Sequence, residues 1–260
     1  MEELPVPQEM LLSAQRNLDF FLKTFYLHFL PDWEMIQSPV TDESEEQRKR
    51  RLMSEKESFL QSGLVILFNS AEIYLKALIA EKSVYLLLKE VKDSYKSKSF
   101  FDCATLDAGE LHKIAGSISG RTLPQRFNDT YEKLRVERNK VIHLGKSNSN
   151  EIKKDFLGSF LTLYEEISQK TLIEMCENLF DKTGLSEEDI NNSKKYHAST
   201  IINIMKTFFP LDEIIKESYK LDNPPRQWVN CLNCSTADHT LATISRSKSL
   251  CLACGFKNGV

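Results

Sequence analysis

Residues 59–80 read FLQSGLVILFNSAEIYLKALIA, and the fold turns on whether this apolar run spans a membrane or fills a core. Its length suits a bilayer, but Gln61, Asn69, Glu72 and Lys76 interrupt it, and such side chains are costly among lipid tails. The run is therefore read as a buried amphipathic helix, and no membrane partner is expected. A chain of 260 residues, 41% hydrophobic and 27% charged, carries enough apolar material to surround such a helix. The net charge is -3, from 34 basic against 37 acidic residues, which argues against a positively coated surface for duplex nucleic acid and leaves room for a local basic patch. The opening MEELPVPQEM is acidic and lacks the basic-then-apolar order of an export signal, so a cytoplasmic location is expected.

Working outward, helical periodicity dominates. Towards the N-terminus, Leu11, Leu12, Leu18, Phe21, Leu22, Phe25 and Phe29 predict a helix over 7–30 closed by Pro31. The charged run TDESEEQRKRRLMSEKE (41–57) reads as a solvated helix start or loop. Beyond residue 80 a short helical piece over 84–91 is followed by a polar break, KDSYKSKS. DAGELHKIAGSIS then reads as a short helix, GRTLP as a turn, and Gln125 to Leu144 as a helix with Gly145 at its C-cap. After the loop KSNSN, where Ser149 or Asn150 can cap, Ile152, Phe156, Phe160, Leu163 and Ile167 recur at helical spacing. Further helix runs to Tyr219, broken at DKTGLSEED and at Pro210, until the paired prolines of DNPPRQ end it.

Past that boundary the chemistry changes. Cys231, Cys234, Cys251 and Cys254 give C-x2-C-x16-C-x2-C, and each CxxC can form a knuckle that aims two thiolates at one ion. The intervening STADHTLATISRSKSL is about enough for a β-hairpin that brings the knuckles together. The pattern resembles a zinc ribbon over roughly 226–260, with a closed tetrahedral shell and a structural zinc. So short a segment needs the metal to fold, and the ribbon is either a clip that orders the tail or a binding module. His239 reads as a surface residue. Trp228, near Arg226, Arg246 and Lys248, either packs under the ribbon or stacks on a single strand. Cys103 and Cys176 are isolated, and reduced thiols are expected throughout.

The predicted helix from Gln125 carries RNKVIHLG (138–145). Its apolar stripe is Phe127, Tyr131, Leu134 and Val141, and Arg138 falls on that stripe, where it needs a partner, a ligand or a second subunit. Asn139 and His143 are four apart, so the amide can orient the imidazole. Arg138 and His143 are five apart, about 140° around an ideal helix, so a bend, the reach of the arginine or a symmetry mate must unite them.

The segment RNKVIH, following AEIYLKAL and LDAGELHKIAG, resembles the HEPN superfamily, whose signature is Arg, four to six residues, then His, often with Asn after the Arg. Bare Arg–His spacing is expected about 0.6 times per chain by chance, and requiring the Asn lowers this to about 0.03. The resemblance spans roughly 10–175 and implies a bundle of four to five helices; with the periodicity and the cysteine spacing, the expected architecture is mainly α, an HEPN-like helical domain over 1–175, a helical extension over 176–222 and the zinc ribbon over 223–260. It implies a homodimer with two facing motifs and a metal-independent endoribonuclease, in which the RNA 2′-hydroxyl attacks the adjacent phosphorus. His143 would act as general base or acid, Arg138 would hold the phosphate, and Asn139 would position either. Arg135 either adds a phosphate contact or pairs with Glu132, and Glu72 pairs with Lys76 or serves the site. By the same resemblance the chain acts as a toxin or anti-phage effector, with RNA as substrate and an antitoxin or regulatory protein as partner. The tyrosine that one subgroup carries two residues after the histidine is replaced here by Gly145. Two other readings stay open: a buried, paired arginine with a capping-turn histidine, or a module that binds RNA, nucleotide or protein without cleaving.

Overall fold

The computed structural model describes residues 3–37, 43–90, 92, 95, 98–144, 149–235, 239–245 and 247–259. Among them the chain is mainly helical, 66% helix, with a small antiparallel sheet at the C-terminus, as the periodicity predicts. Nine α-helices are described: α1 (Pro7–Gln37), α2 (Glu45–Ser54), α3 (Glu57–Ala80), α4 (Ala108–Ile118), α5 (Gln125–Leu144), α6 (Ser149–Ile167), α7 (Leu172–Met175), α8 (Glu187–Phe208) and α9 (Leu211–Ser218). Strands β1 (Gln227–Val229), β2 (Leu241–Thr243), β3 (Ser249–Cys251) and β4 (Lys257–Asn258) pair in that order. Trp228 lies opposite Ala242, and Ala242 opposite Leu250. The chain folds as two compact units interleaved along the sequence. The first holds Met1–Leu18, Gln61–Ser147 and Ser159–Ile167; the second holds Asp19–Leu60, Asn148–Gly158 and Ser168–Val260.

In the first unit α3 is a core helix, as the interrupted apolar run suggests. It is the one described helix long and apolar enough to cross a membrane, and 67% of its most apolar stretch is buried. Phe68 stacks on Tyr131 and Tyr74 meets Phe127 edge-on, which fixes α3 against α5. The fully buried hydroxyl of Ser70 donates to the Ala14 carbonyl at 2.7 Å, so the closest approach to α1 leaves no polar group stranded. Tyr131 donates its hydroxyl to the Ala108 carbonyl at 2.7 Å, tying α5 to the start of α4.

The second unit centres on an aromatic cluster, in which Phe25, Phe29, Phe156 and Phe209 lie within ring contact of one another or of shared neighbours. Three sequence expectations are corrected here. Pro31 does not close the first helix, which runs on to Gln37. Pro31 and Leu27 both lie on the exposed face, where water can satisfy the carbonyl that proline leaves without a donor. The charged run folds into a separate helix, α2, opened by a Ser44–Gln47 capping box, and it buries Arg48, Leu52 and Met53. The short helical piece expected over 84–91 is a 3-10 helix confined to Val84–Leu87. Backbone groups of this stretch are diverted to residues 104–106, with Lys89 N–H donating to Ala104 and Leu106 N–H to Leu87. Gly145 and Arg246, read above as a cap and a strand contact, lie outside the described residues.

Candidate functional site

On α5, Phe127, Tyr131 and Leu134 are fully buried, but the stripe fades towards the C-terminus. Val141 is half-buried and Ile142 is 52% exposed. Arg138 is accordingly half-exposed rather than sealed in the core. Its guanidinium carbon lies 5.4 Å from the centre of the Phe68 ring, a cation–π contact, and Nη1 donates to Asn139 Oδ1 at 3.0 Å. Nε is enclosed and has no hydrogen-bond partner among the described residues.

The structure therefore joins Asn139 to Arg138. It does not join either of them to His143, which sits exposed in the last turn of α5. Because α5 stays helical from Gln125 to Leu144, the divergence of about 140° between Arg138 and His143 persists. On the same helix Glu132, Arg135, Val136, Asn139, Ile142 and His143 fall within a sector of about 120°, with Arg138 about 40° beyond its edge.

Arg135 forms the ion pair with Glu132 that one of its two readings expects. Its Nε and Nη2 both donate to Glu132 Oε2 at 2.9 Å. Glu72 likewise pairs with Lys76. The other oxygen of Glu132 reaches a residue that the sequence did not single out: Oε1 lies 3.3 Å from His112 Nδ1 on α4. Both atoms are enclosed, and neither has a hydrogen-bond partner unless Nδ1 carries the proton that joins them. Burial lowers the His112 pKa below its usual value; the Glu132 carboxylate opposes this, and Lys113 and Arg135 add to it. Burial also raises the Tyr131 phenol, keeping it a neutral donor. The Glu132–Arg135 spacing was visible on a helix, but the pairing with His112 depends on how α4 meets α5, which no spacing records.

In the second unit the four cysteines converge. The Sγ atoms of Cys231, Cys234, Cys251 and Cys254 all lie within 4.8 Å of one another, and two of the distances are 3.9 Å. A tetrahedral ion with Zn–S bonds of about 2.3 Å places its sulfurs about 3.8 Å apart, so the cluster can hold a metal ion such as zinc with little adjustment. Burial raises the Cys231 and Cys251 thiols, so their ionised forms need a cation close by. Gly255 adopts φ 72°, the left-handed turn that the second knuckle requires. His239 is exposed and outside the cluster, with its N–H donating to Asn230.

Trp228 takes the packing role. Its indole N–H donates to Asp212 at 2.8 Å, and the Lys206 ammonium lies 5.1 Å from its ring centre. The second knuckle is tied down too, with Ile173 N–H donating to the Ala253 carbonyl at 3.2 Å. Cys103 and Cys176 are buried, unpaired thiols. His28 stacks on Phe59, and His197 lies between Phe180 and Tyr26, so both are accounted for by packing. Comparison with known protein families, with characterised proteins and with solved structures returns no match to this chain.

Proposed function

We propose that the chain is a metal-independent endoribonuclease of the HEPN type, working as a homodimer through Arg138, Asn139 and His143. The observation that supports this reading most is the state of Arg138. One end of its guanidinium is braced by Asn139 and its carbon rests on Phe68, yet it remains half-exposed with an enclosed Nε lacking a partner. A planar cation held in this way is suited to an oxyanion, since the fork donates to two oxygens at once and is already oriented.

In the reaction the RNA 2′-hydroxyl attacks the adjacent phosphorus, and the bond to the 5′-oxygen breaks. The products are a 2′,3′-cyclic phosphate and a free 5′-hydroxyl. His143 accepts the 2′ proton or delivers one to the leaving oxygen, while Arg138 holds the non-bridging oxygens as negative charge builds. The attacking group belongs to the substrate, so the chemistry calls for no catalytic metal. Arg138 and His143 diverge on their own helix, and the dimer supplies the missing arrangement: Arg138 of one copy works with His143 of the other. Exposed Val136, just before the motif, and Ile142, within it, are 42% and 52% accessible and suit such a contact. Zinc in the cysteine cluster is structural in this reading, with all four positions filled by thiolate. A cytoplasmic toxin or anti-phage effector held in check by an antitoxin or regulatory protein fits the resemblance.

The test is incubation with total tRNA and rRNA in EDTA, with Arg138→Ala and His143→Ala beside the wild type. Cleavage by the wild type alone, leaving cyclic phosphate ends, is expected. Equal cleavage by the variants overturns the assignment. A second reading, a partner-docking module, is favoured by the ribbon's own surface: Leu232 in the first knuckle is 93% exposed and Phe256 after the second is 39% exposed. Folded, dimeric wild type that binds RNA or protein but never cleaves would favour it.

A further inference from the structure

The Glu132 carboxylate is shared between two cationic or potentially cationic side chains from two helices. Oε2 receives Nε and Nη2 of Arg135, and Oε1 faces Nδ1 of His112. This fixes what each partner has left to offer. With the proton on Nδ1, the Nε2 of His112 is an acceptor while the ring is neutral and a donor once it is charged. The side chain is 13% exposed although Nδ1 is enclosed, so the exposure falls on its other atoms. Arg135 keeps Nη1 for a further acceptor, and its guanidinium rests against Gly109, where an added Cβ would come within 4.0 Å of Cζ. The carboxylate thus holds an imidazole and a guanidinium side by side at the surface, both oriented and neither saturated. A clasp serving only to join α4 and α5 has no use for these open positions, since Tyr131 already ties the two helices.

We infer that His112 and Arg135, oriented by Glu132, form a second phosphate-binding subsite for the RNA strand. The inference rests on the ribonuclease reading for its ligand. Glu132, Asn139 and His143 lie within the same sector of α5, and Arg135 is one turn, about 4.5 Å along the axis, from Arg138. A strand laid on this face meets the His112–Arg135 pair at a phosphate next to the one that is cut. The pair therefore acts on binding and on the minimum length of substrate, with no part in the chemical step. A phosphate beside Nε2 favours the imidazolium, whose Nε2–H then donates a charge-assisted bond to a phosphate oxygen in place of water.

The test compares a dinucleotide with a decanucleotide, using full-length wild type, Arg135→Ala, His112→Gln and His143→Ala. Arg135→Ala and His112→Gln are expected to raise KM for the decanucleotide about tenfold, the loss of one charge-assisted hydrogen bond, with kcat kept and the dinucleotide unaffected. His143→Ala is expected to lose kcat on both. In His143→Ala protein, the His112 ring resonances followed by NMR are expected to shift when a decanucleotide is added, and Arg135→Lys is expected to restore most of the KM. Equal effects on both substrates, or RNA binding that leaves the His112 resonances unmoved, would reduce the cluster to a helix clasp and overturn the inference. Wild type that binds the decanucleotide with a His112 shift but cleaves nothing would remove the catalytic reading and leave the subsite standing. Wild type that binds no RNA removes both.

Discussion

At the ribbon, Cys231, Cys234, Cys251 and Cys254 turn inward on one another, whereas on α5 Arg135, Asn139 and His143 sit on a half-open helix face with bonds to spare. The first arrangement is closed: one tetrahedral ion satisfies all four sulfurs and leaves no position for a substrate. The second, under the proposed ribonuclease reading, is incomplete as a single chain. The helix that carries Arg138 also turns His143 about 140° away from it, so only a ligand or a second copy brings the two to one point. Buried polar groups demand partners, and the two regions meet that demand differently. A small ion can complete the ribbon, which under the structural-zinc proposal serves as scaffold. The α5 face keeps its donors available.

The largest expected effect breaks the closed side. Cys251→Ser removes a fully buried ligand, and loss of the ion costs the ribbon on the order of 10 kcal/mol of folding free energy. Thermal melts of wild type against Cys251→Ser, and of wild type against protein treated with a strong chelator, should show the same large drop. Because Trp228 and Ala253 bond the ribbon to the rest of its unit, the loss should extend to α7 and α9 in hydrogen exchange. On the open side, His143→Ala should do the reverse. The side chain is exposed, so the melting temperature should hardly move, while cleavage should fall about 100- to 10,000-fold if the imidazole moves a proton. A variant that lowers both together would mean that the α5 face is a structural element like the ribbon.

The ribbon was legible because ligand chemistry is written in spacing: two residues between cysteines set the knuckle wherever the chain runs. The core helix α3 was legible for a similar reason, its polar interruptions being incompatible with lipid. Arg138 and His143 could be named from their motif, but the state of Arg138 could not. Its stacking on Phe68 depends on the packing of α3 against α5, and its bond to Asn139 drew the amide away from the histidine it was expected to orient. His112 was passed over because nothing near it in sequence is its partner; Glu132 lies twenty residues on, across a helix contact. Pro31 misled because a local rule was applied where solvent could relieve it. Long-range geometry decided each of these points.

The histidines packed against aromatic rings sharpen the contrast in a third way, through pH. His197 is held between Phe180 and Tyr26, whose hydroxyl lies 2.8 Å from Nδ1, and burial lowers its pKa below the usual 6.5. The folded value lies below the unfolded one, so between the two the unfolded chain binds the extra proton. Stability therefore rises with pH through that window and falls as the solution is acidified below about 6.5. His28 and His112 are shifted the same way and should add to the slope. Melting temperatures taken from about pH 7.5 down to about pH 5 should fall for the wild type and fall less steeply for His197→Gln. A slope of the opposite sign would mean that these rings are charged in the fold.

The smallest expected effect probes how the closed region is attached. Trp228→Phe keeps the ring that lies under Lys206 but removes the indole N–H that Asp212 accepts. The bond is partly open to water, so its loss should cost about 1 kcal/mol, seen as a small shift in the denaturant midpoint with an unchanged slope. Asp212→Ala should cost about the same, and the double variant no more than either alone, because the indole and the carboxylate act through one bond. If the two losses add in full, Trp228 holds the ribbon by its apolar face alone. The tie to α9 would then be packing, and the hydrogen bond incidental to it.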